Sequence, residues 1–152
     1  MDIYEKVLED HHNIREAIDE LEATDNSQIE KRNRLLKNVE HLFVSHTNSE
    51  EQTLYLALAD SPDKEIRDQV KKSRKEHDVG AEKLDALKET PLDSDSFLPR
   101  LEEFKLVVIA HFDEEEDELF EMARDGLSKH EADLIEEEME ELEDEVWTRP
   151  LY

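Results

Sequence analysis

The stretch HTNSEEQTLY at residues 46–55 is matched, in its chemically distinctive positions, by HFDEEEDELF at residues 111–120. Each copy has a histidine, two glutamates four and five residues later, and a leucine followed by an aromatic residue. A histidine also precedes each copy, His11 before the first and His77 before the second, and matched positions are 65 or 66 residues apart. The two halves of the chain are therefore predicted to build one site with approximate two-fold symmetry.

The apolar periodicity places the four histidines on the inner faces of helices. Apolar residues recur at three- and four-residue steps, and one histidine lies on each of four such stripes, with a glutamate one turn further along two of them. Unpaired buried carboxylates cost several kcal/mol each, and the predicted inner faces carry no Lys or Arg. Metal ions are the simplest compensation, and imidazole with carboxylate suits a pair of iron-class ions. The predicted metal ligands are His11, His46, Glu50, His77, His111 and Glu115.

A single inward histidine is more typical of a hydrogen-bonded core residue, so the prediction depends on the shared level of all six groups. His12 also has a glutamate four residues later, Glu16, but Asp and Glu make up 44 of the 152 residues and we interpret this pair as accidental. His12, His41 and His130 lie off the apolar faces. We predict surface or outer positions for these three.

The composition favours a soluble helical protein. A chain of 152 residues with two glycines and four prolines has the size of one domain and little material for β turns. The absence of cysteine excludes disulfides and thiolate metal sites. The acidic N-terminus is unlike a signal peptide and no apolar run could span a bilayer, so we expect a cytoplasmic location.

The net charge of −25 argues against nucleic-acid and membrane partners, because phosphate backbones and anionic lipids would be repelled. The charge is typical both of a solvated outer surface and of adaptation to a high-salt cytoplasm, and the sequence leaves both possibilities open. The sequence does not indicate a protein partner.

Capping signals and breakers divide the chain into five helices. The fold is predicted to be all-α, an up-down-up-down four-helix bundle over about residues 3–124 with an additional C-terminal helix over about 128–146, in a single domain of residues 1–152. The first helix is predicted over 3–23, and a capping box at 27–30 opens a second helix that runs to 59. An N-cap and a proline at 61–62 open the third helix, which stops at 90–91. A loop at 93–96 precedes the fourth helix, which Gly126 ends, and a second capping box at 128–131 opens the fifth.

Over about residues 1–124 the sequence resembles the hemerythrin-like (HHE cation-binding) family. The resemblance is carried by Asp10-His11, the stretch 46–55, Glu76-His77 and the stretch 111–120. It implies a non-haem site of two Fe ions inside a four-helix bundle, with oxo or hydroxo and carboxylate bridges. It also implies open coordination at which dioxygen, hydrogen peroxide or nitric oxide can bind.

Two departures from the oxygen-carrying members of that family bear on function. Those carriers have a second histidine four residues before the histidine of the third helix, where this chain has Ser73. Each metal is then left with two histidines, His11 with His46 and His77 with His111. The carriers also place a bridging carboxylate five residues after the histidine of the fourth helix; here Glu115 is favoured and Glu116 is the alternative.

The missing histidine favours an enzyme over a carrier. With fewer protein ligands both metals should keep an exchangeable position, which favours catalase-like decomposition of hydrogen peroxide. The alternative is a module that binds or senses dioxygen, nitric oxide or iron without turnover. A helical protein with fortuitous histidines is the third possibility, and the sequence alone does not decide whether the chain is an enzyme.

Overall fold

A computed structural model describes residues 1–147, and the predicted all-α class is confirmed, with five helices and no strand in that range. The helices are α1 (Ile3–Glu22), α2 (Ile29–Glu50), α3 (Lys64–Lys88), α4 (Phe97–Glu114) and α5 (Lys129–Trp147). The α2 helix continues through a π-helical turn, Glu51–Tyr55, into a last α-helical turn, Leu56–Ala59. The α4 helix continues likewise through Glu115–Leu119 into Phe120–Gly126.

The two π-helical turns lie within one residue of matching positions in the repeat, since one begins directly after Glu50 and the other at Glu115 itself. A π-helical turn accommodates an extra residue and changes which side chains face inward beyond it. Tyr55, nine residues after His46, would point away from the histidine on a regular α-helix, yet it is fully buried. The helix predicted to run to residue 59 is confirmed, but the π-helical turn within it was not predicted.

Two predicted helix starts are wrong. The predicted capping box at 27–30 does not form, because the Ser27 hydroxyl and amide both donate to the Asp25 carboxylate, and α2 begins at Ile29. The α3 helix begins at Lys64, later than the predicted N-cap at Ser61. Its N-cap is Asp63, whose carboxylate accepts from the Glu65 amide at 2.9 Å, while the Ser61 hydroxyl accepts from the Asp63 amide.

The second capping box is confirmed, since the Ser128 hydroxyl accepts from the Glu131 amide at 3.1 Å and the Glu131 carboxylate accepts from the Ser128 amide at 3.0 Å. The fourth helical segment ends at Gly126, as predicted. This glycine does not adopt a positive φ, so the helix ends because Leu127 is extended, with φ −124° and ψ 138°.

The hydrophobic core consists of two clusters on either side of the level of the histidines. Along α1, Ile3 and Val7 belong to one cluster and Ile14 and Ile18 to the other, with His11 between them. The order of the two clusters reverses from each of the first four helices to the next. The site is therefore enclosed by apolar layers above and below.

The α5 helix lies against α1 and α2. Its buried residues Ala132, Ile135 and Met139 join the cluster that contains Ile3 and Val7. In the described part of the chain no helix combines the length and apolar character needed to cross a membrane.

A buried arginine on α2 forms hydrogen bonds with two loops. No pattern in the sequence predicts that this arginine lies in the interior. Arg32 is fully buried and its guanidinium donates to Thr24 Oγ1 at 2.8 Å, to the Thr24 carbonyl at 3.2 Å, to Asn26 Oδ1 at 2.9 Å and to the Leu92 carbonyl at 2.7 Å. It also lies 4.7 Å from the Phe97 ring centroid. One side chain thus satisfies polar groups from both the α1–α2 and the α3–α4 connections.

We expect Arg32→Met to lower the melting temperature by roughly 5–15 °C. Buried acceptors left without a donor cost about 1–3 kcal/mol each, and in a domain of this size about 1 kcal/mol corresponds to roughly 2–4 °C. Thermal unfolding followed by circular dichroism checks this, with the exposed Arg34→Met as control. Equal melting temperatures for the two variants would contradict the structural role assigned to Arg32.

Candidate metal centre

The structure brings together all six residues predicted as ligands. One histidine comes from each of α1 to α4, and both glutamates come from the junctions between an α-helix and its π-helical turn. None of the six is more than 4% exposed. They are His11, His46, Glu50, His77, His111 and Glu115.

The six residues form two overlapping groups that share both glutamates. One group adds His11 and His46 and the other adds His77 and His111; in each, one ligand atom per residue lies within 4.8 Å of the others. Glu50 Oε1 lies 3.1 Å from His77 Nε2 and 3.7 Å from His46 Nε2. Glu115 lies 3.1 Å from His11 Nε2 and 3.6 Å from His111 Nε2. Each glutamate therefore contacts one imidazole from each histidine pair.

Several of these inward atoms are enclosed but lack a hydrogen bond within the described residues. They are His11 Nε2, His46 Nε2, both carboxylate oxygens of Glu50 and Glu115 Oε1. The 3.1 Å approach of His11 Nε2 to Glu115 does not have hydrogen-bond geometry. Buried polar atoms are normally satisfied, so a cluster of unpaired nitrogen and oxygen atoms fits a cation that takes N and O ligands.

An outer shell of carboxylates holds the other nitrogen of every histidine. Such contacts fix the ring orientation and leave Nε2 facing the centre. The pairs are His11 Nδ1 with Glu116 at 2.8 Å, His46 Nδ1 with Asp10 at 2.8 Å, His77 Nδ1 with Glu51 at 2.9 Å, and His111 Nδ1 with Glu76 at 3.0 Å. Glu116, predicted as the alternative to Glu115, thus lies on the outer side of His11.

Sequence reasoning assigned no role to Asp10, Glu51 or Glu76. A signal was available, because Asp10 and Glu76 are 66 residues apart and Glu51 and Glu116 are 65 apart, the same offsets that relate the histidines and inner glutamates. The repeat therefore covers both shells of the site.

The outer and inner carboxylates differ in how their charge is balanced. Lys6 lies 3.1 Å from Asp10, Arg15 lies 3.2 Å from Glu116, and Arg74 lies 3.8 Å from Glu51. Among the described residues no Lys or Arg comes within 4.0 Å of Glu50 or Glu115. The inner glutamates therefore have each other, histidines and a tyrosine hydroxyl as polar neighbours, and no lysine or arginine balances their charge.

The pKa values of the inner groups reflect their burial and their closeness to one another. Burial and the neighbouring Glu115 raise the pKa of Glu50 well above its ordinary value. Burial also opposes ionisation of Glu115, but the close approach of His11 and the charge of His111 hold its pKa well below its ordinary value. Against the effect of burial, Glu115 and Glu116 raise the pKa of His11 to about 9. A bound cation would take over the role of these protons.

Tyr55 is a site residue that sequence reasoning missed. Its hydroxyl donates to Glu115 and lies 3.2 Å from His77 Nε2 and 3.4 Å from His111 Nε2. The equivalent position in the second repeat is Phe120, which has no hydroxyl. The motif contained Tyr55, but only the π-helical turn brings it to the inner face.

The half of the site around His11 has a different environment. The Phe112 ring stacks on the His11 imidazole with centroids 3.7 Å apart. In the other half, Ser73 is buried one turn before His77, and its hydroxyl has no hydrogen-bond partner in the described chain. The two halves match in their predicted ligands but not in the groups that surround them.

The remaining histidines lie outside this arrangement. His12 has a 67% exposed side chain that pairs with Glu16, His130 is exposed, and His41 is half-buried. We expect His12→Gln, His41→Gln and His130→Gln each to leave the number of bound metal ions unchanged. Metal analysis of the purified variants checks this, and loss of an ion from any of them would show that a further ligand exists.

A helical bundle with two histidine pairs around shared buried glutamates defines a cation-binding protein built on nitrogen and oxygen ligands. The sequence model for the hemerythrin HHE cation binding domain matches residues 2–123, and the chain belongs to that family. The predicted resemblance is thereby confirmed. Comparisons with curated proteins and with solved structures gave no match.

Proposed function

We propose that the protein holds two iron ions and acts on hydrogen peroxide or dioxygen. The observation that carries the proposal is that each inner glutamate contacts one imidazole of each pair, as expected of carboxylates that bridge two ions about 3.5 Å apart. One ion is assigned to His11 and His46 and the other to His77 and His111, with Glu50 and Glu115 shared between them. Oxo or hydroxo bridges complete the proposal, and iron is favoured by the mixture of imidazole and carboxylate.

The same proposal includes an up-down-up-down order for α1 to α4 within a single domain. It is supported by the reversal of the two core clusters from helix to helix and by the short connections 23–28 and 89–96. This order places the four histidines at one level.

The activity we favour is catalase-like, in which two molecules of hydrogen peroxide give one of dioxygen and two of water. Bound iron would supply Lewis-acid and redox chemistry. The chain supplies a proton-holding group, because the Tyr55 hydroxyl lies beside Glu115 on the side of His77 and His111. Ser73 is too short to reach the metal as the additional histidine of the carriers does. We therefore propose that a small molecule binds in the half of the site that contains His77 and His111.

The alternative function is binding or sensing of dioxygen, nitric oxide or iron without turnover. It is favoured by the near-complete burial of the six residues and by the Phe112 ring stacked on His11, since a carrier must protect its centre. In both cases the proposed partners are small molecules. We also propose a cytoplasmic location, and the charge of −25 supports a protein that binds neither nucleic acid nor anionic membranes.

The two functions are separated by measuring oxygen release from hydrogen peroxide with the iron-loaded protein, alongside its iron content. We expect two ions per chain and release well above that of a His77→Ala control. No release above the control, together with a reversible oxygenated spectrum, would favour the carrier. Protein that takes up no metal would leave only a structural role for the histidines.

A further inference from the structure

We propose that Glu143 of α5 is a positioning residue for His46, acting through Lys6 and Asp10. The inference rests on the metal centre proposed above. Residue 143 lies beyond residues 2–123 that match the family, so the positioning contact comes from outside the family's domain. This contact makes α5 part of the metal centre of this chain.

The contacts form a continuous path from α5 to the imidazole. The Lys6 ammonium donates to Glu143 Oε1 and to Asp10 Oδ1, both at 3.1 Å, and Asp10 Oδ2 lies 2.8 Å from His46 Nδ1. The Ser49 hydroxyl, next to Glu50 in the chain, lies 3.3 Å from Glu143 Oε2. Glu143 thus contacts groups on both α1 and α2.

This network is buried, so its geometry matters more than that of a surface ion pair. Asp10 and Glu143 are 7% and 9% exposed and the Lys6 side chain is 12% exposed. Removing one partner from a buried charged network leaves another without compensation. Without Glu143, Lys6 loses its acceptor on α5 and Asp10 loses the carboxyl group beside it, so Lys6 alone fixes the position of Asp10 from that side.

In the second repeat, the lysine that matches Lys6 also contacts a glutamate, but this glutamate does not come from α5. Lys72 is 66 residues after Lys6, and its ammonium contacts Glu114, whose carboxylate lies beside that of Glu76. The residue matching Glu114 in the first repeat is Ser49. The first repeat therefore lacks the carboxylate that contacts the lysine in the second, and Glu143 supplies it.

Three variants of the full chain separate positioning from simple packing. Glu143→Leu removes the acceptors, whereas Glu143→Gln keeps an acceptor for Lys6 and is the conservative control. Met139→Ala weakens the packing of α5, since Met139 is fully buried, but leaves the polar path intact. For each protein the iron content and the rate of iron release to a chelator are measured, together with the melting temperature.

We expect Glu143→Leu to release one of its two ions about tenfold faster than the wild type, the size typical of lost outer-shell contacts to a metal ligand. Glu143→Gln should release both at wild-type rates. Met139→Ala should melt at a lower temperature and still release iron as the wild type does. In a His46→Ala background, Glu143→Leu should leave release of the remaining ion unchanged.

Two results would overturn the inference while leaving the metal centre intact. One is wild-type release of both ions from Glu143→Leu, and the other is accelerated release from Met139→Ala equal to that from Glu143→Leu. Two ions per wild-type chain in the same experiment would show that the centre itself exists. A wild-type protein that binds no iron would refute the proposed metal centre as well.

Discussion

Glu50→Gln and Glu115→Gln are each expected to lower iron binding from two ions per chain to none. Both glutamates contact imidazoles of both histidine pairs. Replacing one of them removes a ligand from both proposed ions, whereas replacing one histidine removes a ligand from a single ion. Losing the ions also removes the stability that metal binding contributes, which is about 4 kcal/mol when free metal exceeds the dissociation constant a thousandfold.

The two variants should differ in the metal-free state. Burial and Glu115 raise the pKa of Glu50, and a carboxyl with a raised pKa destabilises the fold at pH values above its unfolded pKa. Glu50→Gln removes that penalty and should raise the melting temperature of the metal-free protein. Glu115 has a lowered pKa because the neighbouring histidines His11 and His111 outweigh the effect of burial, so Glu115→Gln loses stability that is present at neutral pH. It should melt at a lower temperature.

Iron analysis and thermal unfolding, with and without metal, test both statements. Glu118→Gln is the matched control, since Glu118 lies in the same π-helical turn as Glu115 and is exposed. The control should bind two ions and melt as the wild type does. Retention of two ions by either inner-glutamate variant would refute a shared bridging role.

The long helices and their inward histidines could be predicted because periodicity is strongest in long amphipathic segments. Across α1, the repeat of Val7, His11, Ile14 and Ile18 leaves only one face to bury. The histidines appear at the same step as the apolar residues. Their inward direction follows from local spacing alone.

The details that periodicity missed depend on competing contacts. Ser27 and Ser61 have the sequence context of N-caps. In the structure the Ser27 hydroxyl donates to Asp25 instead, and Asp63 is the N-cap in place of Ser61. The π-helical turns have no such local signal, and they determine that Tyr55 enters the site. The Leu92 acceptor of Arg32 and the partners of Glu143 come from distant segments, so only the folded chain brings them together.

Tyr55→Phe is expected to reduce oxygen release from hydrogen peroxide by about 100-fold, the lower range for losing a group that transfers protons. Conversion of peroxide oxygens into water requires protons within an enclosed site. The Tyr55 hydroxyl is the buried O–H donor beside Glu115, and the same position in the other repeat is occupied by Phe120. The variant removes one oxygen atom and leaves the aromatic ring against His77.

Tyr4→Phe is the matched control, because Tyr4 is a buried tyrosine of the same apolar cluster as Tyr55 whose hydroxyl has no hydrogen-bond partner among the described residues. Its iron content and oxygen release should equal those of the wild type. Wild-type oxygen release from Tyr55→Phe would show that the hydroxyl is dispensable for proton transfer. A fall in iron content from two to one would assign Tyr55 as a ligand of the ion at His77 and His111, so measuring both quantities on the same sample distinguishes a proton donor from a metal ligand.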